Sequence, residues 1–108
     1  MKKTIILLAI MSLLFVAPAL AHKVNLFAYA EGGQIYMESY FPDGRPIKQG
    51  AIEIYTAEGR LLQQGTTDDQ GLYACAIPEF VGLKLVVRAS MGHQTSFTLQ
   101  KAELEQGR

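Results

Sequence analysis

The sequence has 108 residues, with ten basic side chains, ten acidic side chains and a single cysteine. The opposite charges are interspersed, which argues against nucleic acid and anionic membrane surfaces as partners. One cysteine excludes a disulfide within the chain, so the fold must be held by its core, or by a core together with a bound metal.

The first part of the chain is typical of a secretory signal peptide. Lys2 and Lys3 precede an apolar run over residues 4–16, and residues 19–21 read Ala-Leu-Ala, a small-x-small cleavage site. We expect residues 1–21 to be removed after Ala21, which gives a periplasmic or secreted protein that begins at His22. No second apolar run follows, so we expect no insertion of the mature chain into a membrane.

The rest of the chain alternates short strand-like runs with turn signals such as Gly32-Gly33 and Asp43-Gly44. This spacing predicts an all-β fold, a seven-stranded antiparallel β-sandwich over residues 22–100. Residues 101–108 are expected to form a helical turn or a disordered tail. The predicted strands cover residues 23–30, 34–41, 51–56, 60–66, 72–77, 83–89 and 95–100.

Period-two alternation predicts which side of a strand is buried. Ile35 and Met37 share one side of the second strand, and Ile52 and Ile54 share one side of the third. We expect the tyrosines, which recur at strand spacing, to pack on the sheets. They are Tyr29, Tyr36, Tyr40, Tyr55 and Tyr73.

Cys75 lies in an apolar strand-like run and is most simply a small hydrophobic residue of the core. A thiolate ligand or an intermolecular bridge is the alternative. Signs of catalysis are weak: the serines lack a Gly-x-Ser-x-Gly setting, and the Asp68-Asp69 pair is most simply a turn. We therefore expect a protein that is not an enzyme.

His22 and His93 are the chain's two histidines, so any imidazole-based metal site is confined to them. Cleavage after Ala21 places the α-amino group and the imidazole of His22 on one residue, which makes a bidentate chelate. His93 from another strand would add a third nitrogen. Nitrogen ligands suit nickel, cobalt and copper, and Met91 is a possible soft fourth ligand.

Two central motifs resemble the carboxypeptidase regulatory-like, or transthyretin-like, sandwich. Residues 43–51 (Asp-Gly-Arg-Pro-Ile-Lys-Gln-Gly-Ala) are similar to its D-G-x-P-x-x-G-A pattern, with one more residue between the proline and the second glycine, and residues 67–73 match its T-D-x-x-G-x-Y pattern. The resemblance implies that fold. It implies no particular function, because this sandwich hosts many roles.

A second resemblance is more specific. Residues 21–29 after the signal peptide, together with residues 89–93 (Ala-Ser-Met-Gly-His), are similar to periplasmic auxiliary proteins of nickel and cobalt uptake systems of the energy-coupling-factor type. In that family the resemblance implies a histidine at the mature N-terminus and a second one in a Gly-His element. His22 and His93 occupy those positions, and membrane subunits of a metal transporter are the implied partners.

The sequence thus predicts a metal-binding protein that assists nickel or cobalt uptake. One alternative is a β-sandwich interaction module that binds no metal and docks on a larger exported or membrane partner. Another is a copper enzyme built on a histidine brace, although a small domain leaves little room for a substrate-binding face.

Overall fold

A computed structural model describes residues 23–108, and all structural statements refer to that part of the chain. The strands are β1 (Asn25–Glu31), β2 (Gln34–Tyr40), β3 (Ala51–Thr56), β4 (Leu61–Thr66), β5 (Leu72–Ala76), β6 (Leu83–Arg88) and β7 (Gln94–Leu99). A 3-10 turn, Ser90–Gly92, joins β6 to β7, and a helix, α1 (Lys101–Gln106), follows β7. No helix within residues 23–108 is long and apolar enough to cross a bilayer.

The strands form two sheets, in the orders β1-β2-β5 and β4-β3-β6-β7, and every pairing is antiparallel. The predicted seven-stranded antiparallel sandwich is therefore confirmed, with strand boundaries within two residues of those expected. Edge strands of the two sheets approach each other on both sides. Phe27 of β1 meets Phe97 of β7 edge to face, and Tyr73 of β5 lies against Gly65 of β4.

The core lies between the sheets and follows the predicted alternation. Ile35 and Met37 of β2 and Ile52 and Ile54 of β3 are all at most 2% exposed. The central strand β6 adds buried side chains at every second position and one more on its outer side. Burial of branched aliphatic side chains is the main favourable term for a small domain without disulfides.

Two turns, which carry the central sequence motifs, interlock beside the core. The hydroxyl of Thr67 donates to the carbonyl oxygen of Ile47 at 2.6 Å and accepts from the Gly50 N–H at 2.8 Å. The amide and hydroxyl of Ser39 both donate to the carbonyl oxygen of Gly71. A Cβ on Gly71 would lie 2.3 Å from the carbonyl oxygen of Ser39, and the φ of Gly71 is +77°. These motif residues thus serve the fold, because they satisfy buried polar groups.

The tail forms the helix α1, one of the two outcomes expected from the sequence, and it packs on the sandwich. Leu104 is fully buried in the core cluster. The Gly33 N–H donates to the Gly107 carbonyl oxygen at 2.8 Å, which fixes the end of α1 on the β1–β2 turn. A Cβ on Gly107 would lie 2.5 Å from Ala30, so the close approach requires glycine.

Candidate functional site

The predicted metal site involves two histidines, and the structure describes one of them. His22 and the predicted signal peptide lie outside the described residues. His93 lies at the end of the β6–β7 connection, directly after the 3-10 turn and before β7. The pairing of the two imidazoles therefore stays a prediction.

His93 is held in a closed hairpin. Its carbonyl oxygen accepts from the Ala89 N–H at 2.7 Å, and its own N–H donates to the Ser90 carbonyl oxygen at 3.3 Å. The side chain is half-buried and packs edge to face on Phe41, with ring centroids 6.1 Å apart. The backbone and the ring contact together give the imidazole a defined location at this end of the sandwich.

The start of β1 lies at the same end as His93. Asn25, the first residue of β1, pairs with Tyr40, the last residue of β2, and Phe41 next to Tyr40 contacts the His93 ring. Val24 is buried in the core, which anchors the chain just before β1. Lys23, the first described residue, therefore enters the fold near the β6–β7 hairpin.

Met91, the possible soft ligand, is at the tip of the same hairpin. Its side chain is 92% exposed, and its φ of +61° lies in the left-handed region that non-glycine residues rarely adopt. Gly92 follows with a φ of +78°. The role of the exposed Met91 thioether as a ligand stays a prediction.

An ion pair lies beside Phe41. The Arg45 guanidinium lies 4.9 Å from the Phe41 ring centroid and bonds Asp43 at 2.7 Å. Hydrogen bonds from the backbone and side chain of Arg45 hold the pKa of Asp43 below its ordinary value. Phe41, which supports His93, is thus itself covered by a cation.

Within residues 23–108, no group of three or more His, Cys, Asp or Glu side chains is placed to hold a metal ion. A site at His93 with three or more donors of these types would therefore need at least one of them from outside residues 23–108. A mature N-terminus at His22 would supply two such donors on the residue that directly precedes Lys23.

Cys75 is remote from this end of the fold. It pairs in register with Ile35, and roughly 17 Å of strand separate Ile35 from Tyr40 beside the His93 end. Its side chain is half-buried and packs against the core, and burial raises the pKa of the thiol. This placement agrees with a small core residue and disfavours a thiolate ligand at His93.

The exposed aromatic face of the three-stranded sheet was not predicted as a functional surface from the sequence. Tyr73 packs inward, but Tyr29, Tyr36 and Tyr40 lie on the outer face of the three-stranded sheet and are between 36% and 46% exposed. Phe27 is beside them and is 49% exposed. The available signal was alternation: these aromatic residues fall on the sides of β1 and β2 opposite to Ala28, Ile35 and Met37.

No described protein family matches the chain, and no solved structure is significantly similar to it. The chain is 29% identical over 99 residues to an uncharacterized protein of Haemophilus influenzae. The alignment covers 89% of this chain and 62% of that relative, so the chain spans less than two thirds of the relative's length.

Proposed function

We propose that the protein is exported, binds a divalent transition metal, nickel or cobalt, and assists its uptake. The metal is cargo, and it is held by the mature N-terminal amine and imidazole of His22 together with the imidazole of His93. The observation that carries the proposal is the shared location of the β1 start and His93, joined through Asn25, Tyr40 and Phe41.

The chemistry of the donors supports this assignment. Imidazole and amine nitrogens are borderline ligands that suit nickel and cobalt. Three nitrogens leave coordination positions open. An open site suits a protein that must hand its metal to another component, such as a membrane subunit of a transporter.

The fold supports the proposal in a second way. The His93 loop is closed by two backbone hydrogen bonds, and Val24 anchors the chain on the other side. The His93 ligand is therefore on a rigid hairpin, while the His22 ligands would be at the mature N-terminus. This arrangement limits the ordering cost of binding to residues at the N-terminus.

Metal binding by the protein recovered from the periplasm of an expressing bacterium tests the proposal. Isothermal titration with nickel and cobalt at neutral pH should give one tight site, and His22→Ala and His93→Ala should each abolish it. Thr98→Ala, an exposed change on β7, is the matched control and should bind normally. Intact mass should show a chain that begins at His22.

Two results would contradict the proposal. The first is the absence of stoichiometric nickel, cobalt or copper binding by a protein whose N-terminus is His22. The second is unchanged binding in both histidine variants. Turnover with oxygen or peroxide in the presence of copper would instead favour the histidine-brace enzyme.

A second candidate function is an interaction module that docks on a larger exported or membrane partner without metal. The observation that favours it is the exposed aromatic face of the three-stranded sheet, where Phe27, Tyr29 and Tyr36 are each more than a third exposed.

A further inference from the structure

The outer face of the β1-β2-β5 sheet presents two cross-strand rows of side chains. In one row, Phe27 and Leu72 flank Glu38; in the next, Tyr29 and Tyr36 are followed by Ala74. Phe27, Tyr29 and Leu72 are 40–49% exposed. A cluster of large apolar side chains on the surface is typical of a binding face rather than of ordinary solvent-exposed surface.

The aromatic rings of this face hold each other in place. Tyr29 and Tyr36 stack with ring centroids 5.3 Å apart and planes inclined by 24°. Phe27 lies 6.1 Å from Tyr29 and is braced on its other side by Phe97, 5.8 Å away. Because the rings already support each other, they lose little side-chain entropy when a ligand covers them.

A groove of about 390 Å³ runs over this face, and the charged side chains that line it are all acidic. Its lining includes Glu38 and Asp68 beside the aromatic rings, and it includes no lysine or arginine. By contrast, the outer side of β6 carries Lys84 and Arg88 on the other sheet. The groove is therefore both apolar and acidic.

We propose that this face docks an extended segment of a partner protein in which a lysine or arginine is flanked by apolar side chains. The apolar groups cover Phe27 and Tyr36, and the cation lies beside the Glu38 carboxylate and the electron-rich ring faces. Cation–π attraction and the exposed Glu38 carboxylate act on the same cationic group. His93 is not among the residues that line this groove, and the proposal does not depend on metal binding.

Charge argues against a second copy of the chain as the occupant. A symmetric dimer through this face would bring Glu38 of each copy toward the same acidic centre, because a two-fold interface pairs a patch with itself. Like charges across an interface oppose association. A basic segment instead neutralises the groove.

Nuclear magnetic resonance titration of the isotope-labelled protein tests the proposal. The probe is the peptide acetyl-Leu-Lys-Phe-Lys-Leu-amide, and its counterpart carries glutamate in place of both lysines. The lysine peptide should cause saturable shifts at amides of β1, β2 and β5, and the glutamate peptide should cause none there. Tyrosine fluorescence offers a second readout, because the chain has no tryptophan.

Matched variants separate charge from apolar contact. Glu38→Gln should weaken binding of the lysine peptide by about two- to fivefold, the range expected for one exposed charge contact. Glu58→Gln, an exposed change in the β3–β4 turn, should leave the affinity unchanged. Phe27→Ser should also weaken binding, whereas Leu61→Ser, at a similarly exposed residue of the other sheet, should not.

Three outcomes would overturn the proposal. Shifts confined to other parts of the fold would place the site elsewhere. Equal binding of the lysine and glutamate peptides would show that charge plays no part. Concentration-dependent shifts of the same face without any peptide would identify a second copy of the chain as the occupant.

Discussion

The hydroxyl of Thr67 donates a 2.6 Å hydrogen bond to the carbonyl oxygen of Ile47, inside the fold and away from solvent. The hydroxyl oxygen of Thr67 also accepts from the Gly50 N–H. One side chain therefore satisfies two buried backbone groups on the opposing turn. The contact joins the two central motifs, because Thr67 of one motif supplies the hydrogen-bond partners of Ile47 and Gly50 in the other.

Thr67→Val should destabilise the protein by about 2–4 kcal/mol, because it leaves one buried acceptor and one buried donor without their partner. Urea unfolding followed by circular dichroism measures the change. Thr66→Val, at the exposed neighbouring position, is the control and should change stability by no more than about 0.5 kcal/mol. A Thr67→Val protein as stable as the parent would contradict this account.

Gly65→Ala should destabilise the contact between β4 and β5. A Cβ at residue 65 would lie 2.1 Å from a ring carbon of Tyr73, whose hydroxyl is hydrogen-bonded to Gln63. We expect a loss of about 1–3 kcal/mol in unfolding free energy from this overpacking. Gly82→Ala, where no atom lies within 4 Å, should be tolerated.

A double-mutant cycle identifies the cause of that loss. If the Tyr73 ring is responsible, Gly65→Ala should cost clearly less in a Tyr73→Leu background than in the parent. An equal cost in both backgrounds would assign the effect to the backbone of residue 65 instead.

Leu104→Ala should lower the unfolding free energy by about 2–4 kcal/mol, since it removes a fully buried side chain and leaves a cavity. Glu105→Ala, exposed on the same helix, should have little effect. Hydrogen exchange measures the local consequence: amides of α1 should exchange faster in Leu104→Ala. Unchanged exchange would mean that α1 does not depend on this contact.

The ion pair between Glu53 and Arg88 should make stability depend on pH. The Arg88 guanidinium bonds the Glu53 carboxylate at 2.6 Å and holds the pKa of Glu53 below its ordinary 4.5. A lowered pKa in the folded state gives a contribution that is present above 4.5 and is lost as the pH falls through the lowered value.

Thermal unfolding at a series of pH values below neutral tests this sign. The stability of the parent should fall more steeply in acid than that of Glu53→Gln, which has no carboxylate to protonate at this position. Glu58→Gln, whose parent residue is exposed in a turn, should follow the parent curve. Parallel curves for the parent and Glu53→Gln would show that the pair contributes nothing.

Much of the fold could be predicted from the sequence because strand formation depends on local patterns. Alternation placed Ile35 and Ile54 inward, and glycine turns separated the strands. The tail was harder to predict, because residues 101–108 show only a short helical pattern. Leu104 orders them by packing into a core built from distant strands, and that contact is not visible in the local sequence.

The candidate site also depends partly on the sequence alone and partly on the tertiary structure. The sequence by itself determined which residues can bind metal through imidazole, since it contains two histidines, one of which directly follows the predicted cleavage site. Tertiary structure alone decided that His93, Phe41 and the start of β1 share one end of the sandwich, and that Phe27, Tyr29 and Tyr36 form one exposed face. Register and sheet order create these groupings, and both arise from pairings between strands that are far apart in the chain.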